Sequence, residues 1–193
     1  SAVLDQQSLL GVDVSLIDSN SLKYNVKERV EKQSVSYNKL TIPRGSDFYL
    51  TLSDGSRVWL NAASELKYPE VFCNGERKVY LSGEAYFEVA QDSAAPFIVC
   101  VANMELEVVG TSFNVKAYEE DDLLSITVST GKVLVKVASQ DLQLSLTPNQ
   151  HLTVDNKRRT INKETFIEND YIKWMNGILY FHKTPIKEVI KTI

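Results

Sequence analysis

General-base chemistry would have to rest on His151 or His182, the two histidines of the chain. A catalytic histidine needs a nucleophile or carboxylate beside it, and a zinc site needs about three further nitrogen or sulfur ligands. The residues flanking either histidine supply neither. Glu84 and Glu88 stand four apart, so in a strand they share a face at roughly 13 Å, given a rise of about 3.3 Å per residue. Glycosidase carboxylates stand closer, at about 5–9.5 Å. Glu119-Glu120-Asp121-Asp122 carries charge for Ca²⁺ without the oxygen spacing of an EF-hand, and reads as an exposed acidic turn. Asp54 precedes Gly55 between apolar-alternating runs, a hairpin turn rather than a catalytic acid. GxGxxG and GxxxxGK[ST] loops are both absent. No catalytic, cofactor-binding or metal-binding residue is assigned, and the chain is not expected to be an enzyme.

These residues need a scaffold, and composition bounds it. The 193 residues suit one medium domain, or one domain with a fragment of another. The 44% hydrophobic content is that of a folded protein. A net charge of −4 repels phosphate, so nucleic acid is not an expected partner. Lys157-Arg158-Arg159 follows the turn pair Asp155-Asn156 and reads as a solvated hairpin tip. No run approaches the ~18 apolar residues of a membrane helix, and Ser1-Ala2-Val3-Leu4-Asp5 has no signal-peptide character. Any membrane anchor is expected outside this chain. Cys73 and Cys100 would be able to bridge in an oxidising compartment, but two separate thiols are the plainer expectation.

From about 41 to 155 the hydrophobic period is two. Residues 48–52, 57–60, 78–89, 104–108, 113–117, 124–130, 133–137, 142–146 and 151–154 all read as strands, with turns at Asp54-Gly55, Ser129-Thr130-Gly131-Lys132 and Thr147-Pro148-Asn149-Gln150. Residues 78–89 alternate throughout. Val79, Leu81, Gly83, Ala85, Phe87 and Val89 take one face, with Gly83 and Ala85 expected to leave room for a bulky neighbour. The apolar phase flips between Val108 and Phe113, which predicts a bulge or corner at Val109-Gly110. No helix separates these strands, so a βαβ parallel sheet is excluded. Residues 1–40 are expected to form an extended N-terminal arm that joins the sheet.

After about 160 the period changes. Ile167, Tyr171, Trp174 and Met175 fall at helical spacing, predicting a connecting helix over 161–176 that ends at Gly177. Ile178-Leu179-Tyr180-Phe181 is a compact apolar strand. Thr184-Pro185 then caps a second helix with the stripe Ile186, Val189, Ile190 and Ile193. Residues 177–193 therefore read as the truncated start, strand then helix, of a small α/β domain. The fold class expected is mainly β: a solenoid-like, twisted antiparallel domain followed by these C-terminal elements. Tyr80 and Tyr86 share a face in this reading, so a carbohydrate-binding β-domain is the alternative function.

The phrases Asp54–Ala62, Tyr68-Pro69, Arg77, Gly83–Val89, Pro96–Val99, Gly110–Tyr118 and Gly131–Val133, in this order and spacing, resemble the FecR family of anti-sigma regulators. The resemblance covers about 41–155, making 41–160 the FecR-like all-β domain; Trp174–Phe181 and Pro185–Ile190 resemble the start of the small domain that follows. The resemblance implies the periplasmic part of a single-pass inner-membrane protein. Such a part receives the state of a TonB-dependent outer-membrane transporter from the transporter's signalling domain. An extracytoplasmic-function sigma factor is held by a cytoplasmic segment outside this chain. No catalytic residues carry over. The protein-binding residues expected are Ile178, Leu179, Tyr180 and Phe181, acting by strand addition.

Overall fold

The computed structural model describes residues 3–5, 12–18, 21–26, 35–73, 75–137, 142–165 and 173–175. They form sixteen strands. In chain order these are β1 (Val3–Asp5), β2 (Val12–Asp18), β3 (Ser21–Val26), β4 (Tyr37–Thr41), β5 (Phe48–Thr51), β6 (Arg57–Leu60), β7 (Glu65–Pro69) and β8 (Arg77–Glu88). There follow β9 (Phe97–Val101), β10 (Met104–Val108), β11 (Ser112–Ala117), β12 (Leu123–Thr130), β13 (Val133–Val137), β14 (Leu142–Leu146), β15 (Gln150–Asp155) and β16 (Thr160–Thr165).

One curled sheet holds all of them, and β8 divides it into two layers. The front layer has the order β1-β4-β7-β8-β9-β10-β13-β14. The back layer has the order β2-β3-β5-β6-β8-β11-β12-β15-β16. The pairs β8–β9 and β3–β5 are parallel and the rest antiparallel. From β4 onward the chain repeatedly crosses between layers, through connections that hold no helix among the described residues. The strands β4 to β13 and β15 turn apolar residues to the space between the layers, where a single cluster forms around Phe87, Phe97, Phe113, Leu106 and Ile126. Phe87 stacks on Phe113 within the back layer at 5.2 Å and meets Phe97 of the front layer at 6.2 Å.

The strand β8 changes layer at Gly83. Its first half pairs with β7 and β9 as far as Ser82, and its second half with β11 from Gly83 and with β6 from Ala85. Gly83 has φ +107°, and a Cβ there would stand 2.6 Å from Ser64 Cα. Only glycine tolerates both conditions. Its smallness thus admits the neighbouring corner at Asn61–Ser64, not the bulky core side chain expected from the alternation. That alternation still delivers Val79, Leu81, Ala85 and Phe87 to the core, because both layers face the same interior.

The phase change near Gly110 is a corner between layers. β10 lies in the front layer and β11 in the back, and a Cβ on Gly110 would come within 2.9 Å of Gln91 Cβ. A register irregularity in the β11–β12 pair follows at Ser112/Phe113.

The connecting helix expected from 161 needs correction at its start. Thr160–Thr165 is the edge strand β16, paired antiparallel to β15 from Asp155↔Thr160 to Gln150↔Thr165. The tight turn at 156–159 returns this threonine-flanked segment directly onto β15, and ladder pairing outweighs the weak helical spacing further on. Residues 173–175 make a single 3₁₀ turn. The remainder of that expected helix, and the strand and helix expected in 177–193, lie outside the described residues.

Candidate functional site

The outer surface of the back layer carries one register-matched row: Tyr49, Trp59, Tyr86, Asn114, Thr127, His151 and Glu164, each opposite the next. The row is aromatic at one end. Tyr49 and Trp59 stand 4.9 Å apart, Trp59 and Tyr86 5.8 Å, and the Arg57 guanidinium lies 5.8 Å from the Trp59 ring centre. It is polar in the middle. This face points away from the core, yet Tyr86, Asn114, Thr127 and His151 are all buried. Buried polar groups outside a core require partners. Asn114, Thr127 and His151 find them along the row and beside it.

Glu84, two residues before Tyr86 on β8, sits beside the Asn114 end of that polar stretch and is 8% exposed. Asn61 Nδ2 donates to its Oε2 and Asn114 Nδ2 to its Oε1, both at 3.0 Å. Asn61 Oδ1 accepts from the Ala62 N–H at 2.8 Å. Asn114 Oδ1 accepts from Trp174 Nε1 at 3.2 Å. Four side chains distant in sequence thus form one chain of donors and acceptors. Burial raises the Glu84 carboxyl above its usual range, against the opposing pull of Lys116 and the two amides. Beside it, Tyr118 donates its hydroxyl to Ala62 O at 2.9 Å, and burial together with the Glu84 charge holds its proton well past the ordinary phenol range.

The histidine in the row, His151, meets a threonine hydroxyl at each ring nitrogen. Its Nδ1 stands 2.7 Å from Thr127 Oγ1 and its Nε2 3.1 Å from Thr153 Oγ1, two neutral hydroxyls. Burial lowers its pKa, so the neutral ring is the folded form near neutral pH. Glu88 pairs with Arg57, and Asp122 with Lys157 at 2.6 Å. Asp54 serves structure: its Oδ1 accepts from Ser56 N at 3.0 Å and its Oδ2 from buried Arg77 at 2.8 Å. Among the described residues no group of three or more His, Cys, Asp or Glu could hold a metal. Cys73 and Cys100 are free thiols. Next to the Asn61–Ser64 corner lies an open depression of about 400 Å³, bordered by Arg44, Glu65, Ser82, Glu119 and Glu120.

Tyr80 and Tyr86 do not share a platform. The layer change at Gly83 leaves Tyr80 on the front layer, 40% exposed and 6.2 Å from Tyr37, while Tyr86 is 6% exposed on the back layer. The expected protein-binding strand, Ile178, Leu179, Tyr180 and Phe181, lies outside the described residues. Sequence reasoning weighed Glu84 only against Glu88 and missed its partners Asn61, Asn114 and Trp174. An asparagine at a polar position of an alternating strand is an ordinary surface residue until register places a carboxylate beside it.

No curated protein matches the chain. Two crystal structures from Parabacteroides distasonis, each described as of an anti-sigma factor, are similar to it. One, at 2.50 Å, superposes with a TM-score of 0.77 and 38% identity, over 80% of this chain and 72% of the other. The second, at 1.65 Å, gives a TM-score of 0.76 and 38% identity, over 79% and 71%. The family model described as FecR protein matches residues 38–134, the stretch that holds both the Gly83 corner and the carboxylate and amides of the Glu84 cluster. By that match and those relatives, this chain belongs to the FecR protein family.

Proposed function

We propose that this chain is the periplasmic signal-relay part of a transmembrane anti-sigma regulator. It receives the state of a TonB-dependent outer-membrane transporter through the transporter's signalling domain. It controls an extracytoplasmic-function sigma factor that a cytoplasmic segment outside this sequence holds. The observation that carries the reading is the likeness at 38% identity to a protein assigned as an anti-sigma factor. The chemistry of the site is consistent with it. Polar groups of the buried row are satisfied by neighbouring side chains, as in a scaffold. The regulator works by contact, and its working surface is a protein interface.

Strand addition is the proposed mode of partner capture, with Ile178–Phe181 as the receiving edge. Titration of a recombinant transporter signalling domain into the chain tests this, read by calorimetry. Saturable binding that Leu179→Pro abolishes supports the strand. Binding untouched by Leu179→Pro removes that strand while keeping the partner. For the regulatory role itself, the full-length protein should co-purify with a sigma factor and repress its promoter in a reporter strain. A full-length protein that neither retains a sigma factor nor changes reporter output would overturn the role.

A further inference from the structure

We infer that Glu84 is a positioning residue whose carboxylate sets the polarity of Asn114 and thereby latches Trp174 onto the outer face of the back layer. The geometry works by elimination of donors and acceptors. Both Glu84 oxygens act as acceptors, each facing an amide nitrogen. Both amides must therefore turn their NH₂ groups to Glu84, as the two 3.0 Å contacts record. Each asparagine is left with an oxygen facing the other way. On Asn61 that oxygen takes the Ala62 N–H, and on Asn114 it takes the Trp174 indole N–H. The two ends are unequal. Asn61 and Ala62 are neighbours in the backbone and hold each other at little entropic cost. Trp174 lies 60 positions from Asn114 and is only half-buried, so its N–H exchanges readily for water. When the polarity at Glu84 is wrong, Trp174 is the contact that yields.

The row explains why a latch sits here. Asn114 is directly opposite Tyr86 and Thr127, so the indole arrives where the aromatic half of the face meets the polar half. The other arm of the chain ends at the corner Asn61–Ser64, which borders the 400 Å³ depression. The indole and the corner are thereby coupled through one carboxylate. This latch requires nothing of the regulatory role and stands or falls separately from it.

The test uses the whole chain in a Trp59→Phe background, where Trp174 is the single indole reporter. Glu84→Gln offers one donor and one acceptor where two acceptors stood. It is expected to shift Trp174 emission to the red and to steepen its quenching by acrylamide. Adding Asn114→Asp to Glu84→Gln restores the complement: the new amide at position 84 donates to the new carboxylate at position 114, whose second oxygen accepts the indole. The double variant is expected to return emission and quenching to the parent values. Thr127→Val, on the same row but outside the chain of bonds, leaves them unchanged. Should Glu84→Gln fail to fold, Asn114→Leu deletes the indole's acceptor alone and must produce the same release. Unchanged Trp174 emission in a folded Glu84→Gln or Asn114→Leu protein, or failure of the double variant to restore it, overturns the latch.

Discussion

Arg77 and Glu84 are two buried ionisable groups on one strand, seven residues apart, and the protein treats them in opposite ways. Arg77, 3% exposed, is compensated on every side. It pairs with Asp54 at 2.8 Å, donates to Ala90 O at 2.8 Å and Ala95 O at 2.9 Å, and lies over the Phe97 ring at 5.4 Å. Glu84 has no cation within hydrogen-bond reach among the described residues; two neutral amides satisfy its oxygens, and its pKa rises. The first arrangement ties the 53–56 turn and the 90–95 loop to the front layer. The second is a polarity choice that a change of one atom reverses. A buried charge with a counter-ion behaves as a rivet, and one satisfied only by neutral amides can be switched.

The comparison breaks most strongly at Arg77. Arg77→Met strands the Asp54 carboxylate and the carbonyls of the 90–95 loop, and is expected to destabilise by about 3–5 kcal/mol, measured by urea unfolding. A loss below about 1 kcal/mol would mean that water replaces the pair. Gly83→Ala, at the boundary between the halves, is expected to cost roughly 2–4 kcal/mol from strain at positive φ and collision with Ser64. Ser64→Gly in the same protein should recover part of the steric share, read as a partial return of Tm.

The pH dependence sharpens the comparison next. For Glu84 the folded pKa lies above the unfolded one, so the folded state binds the proton more tightly. Its stabilising contribution is full below the unfolded pKa of about 4.3 and is lost as pH rises through the folded value. Stability of the parent minus that of Glu84→Gln should therefore fall as pH climbs from about 4. His151 works in the opposite direction. Its folded pKa is depressed, so its contribution is present above about 6.5 and is lost as pH drops through the folded value. His151→Gln should flatten that acid limb in a Tm-against-pH series. A His151→Gln curve parallel to the parent would mean that folding leaves the ring's pKa unshifted. The smallest effect belongs to Lys157, paired with Asp122 at side-chain exposures of 74% and 52%. Lys157→Ser should change stability by less than about 0.5 kcal/mol, within the error of chemical unfolding.

Much of the back layer was legible in advance. The alternation of 78–89 and the Asp54-Gly55 turn emerge as β8 and the β5–β6 hairpin, with Gly55 at φ +84°. The strands β7, β9 and β16 were harder, for different reasons. Leu66 and Tyr68 give β7 only two buried apolar positions before Pro69. In β9 the first three residues, Phe97-Ile98-Val99, are all buried, so no alternation shows. The β16 strand is polar and exposed, held by its ladder to β15 instead of by a core face. The candidate site was the least legible part. Glu84 was visible as a carboxylate on a polar face, but its amide partners stand 23 and 30 residues away, beyond the reach of any local pattern.

By itself the sequence determined which side of the strongly alternating strands, such as β8, β10, β11 and β13, faces inward and where glycine must relieve a turn. These properties follow from period-two burial and from backbone sterics, which are local. Only the tertiary structure decided that β8 serves two layers, that Tyr80 and Tyr86 part company at Gly83, and that Glu84 meets Asn61, Asn114 and, through Asn114, Trp174. Those outcomes depend on register between strands far apart in the chain. A shift of one residue would turn the row of Tyr86 and Asn114 inward and leave Glu84 without its amides. Apolar burial can be read from a single strand, whereas the partners of a buried polar group are chosen by the whole sheet.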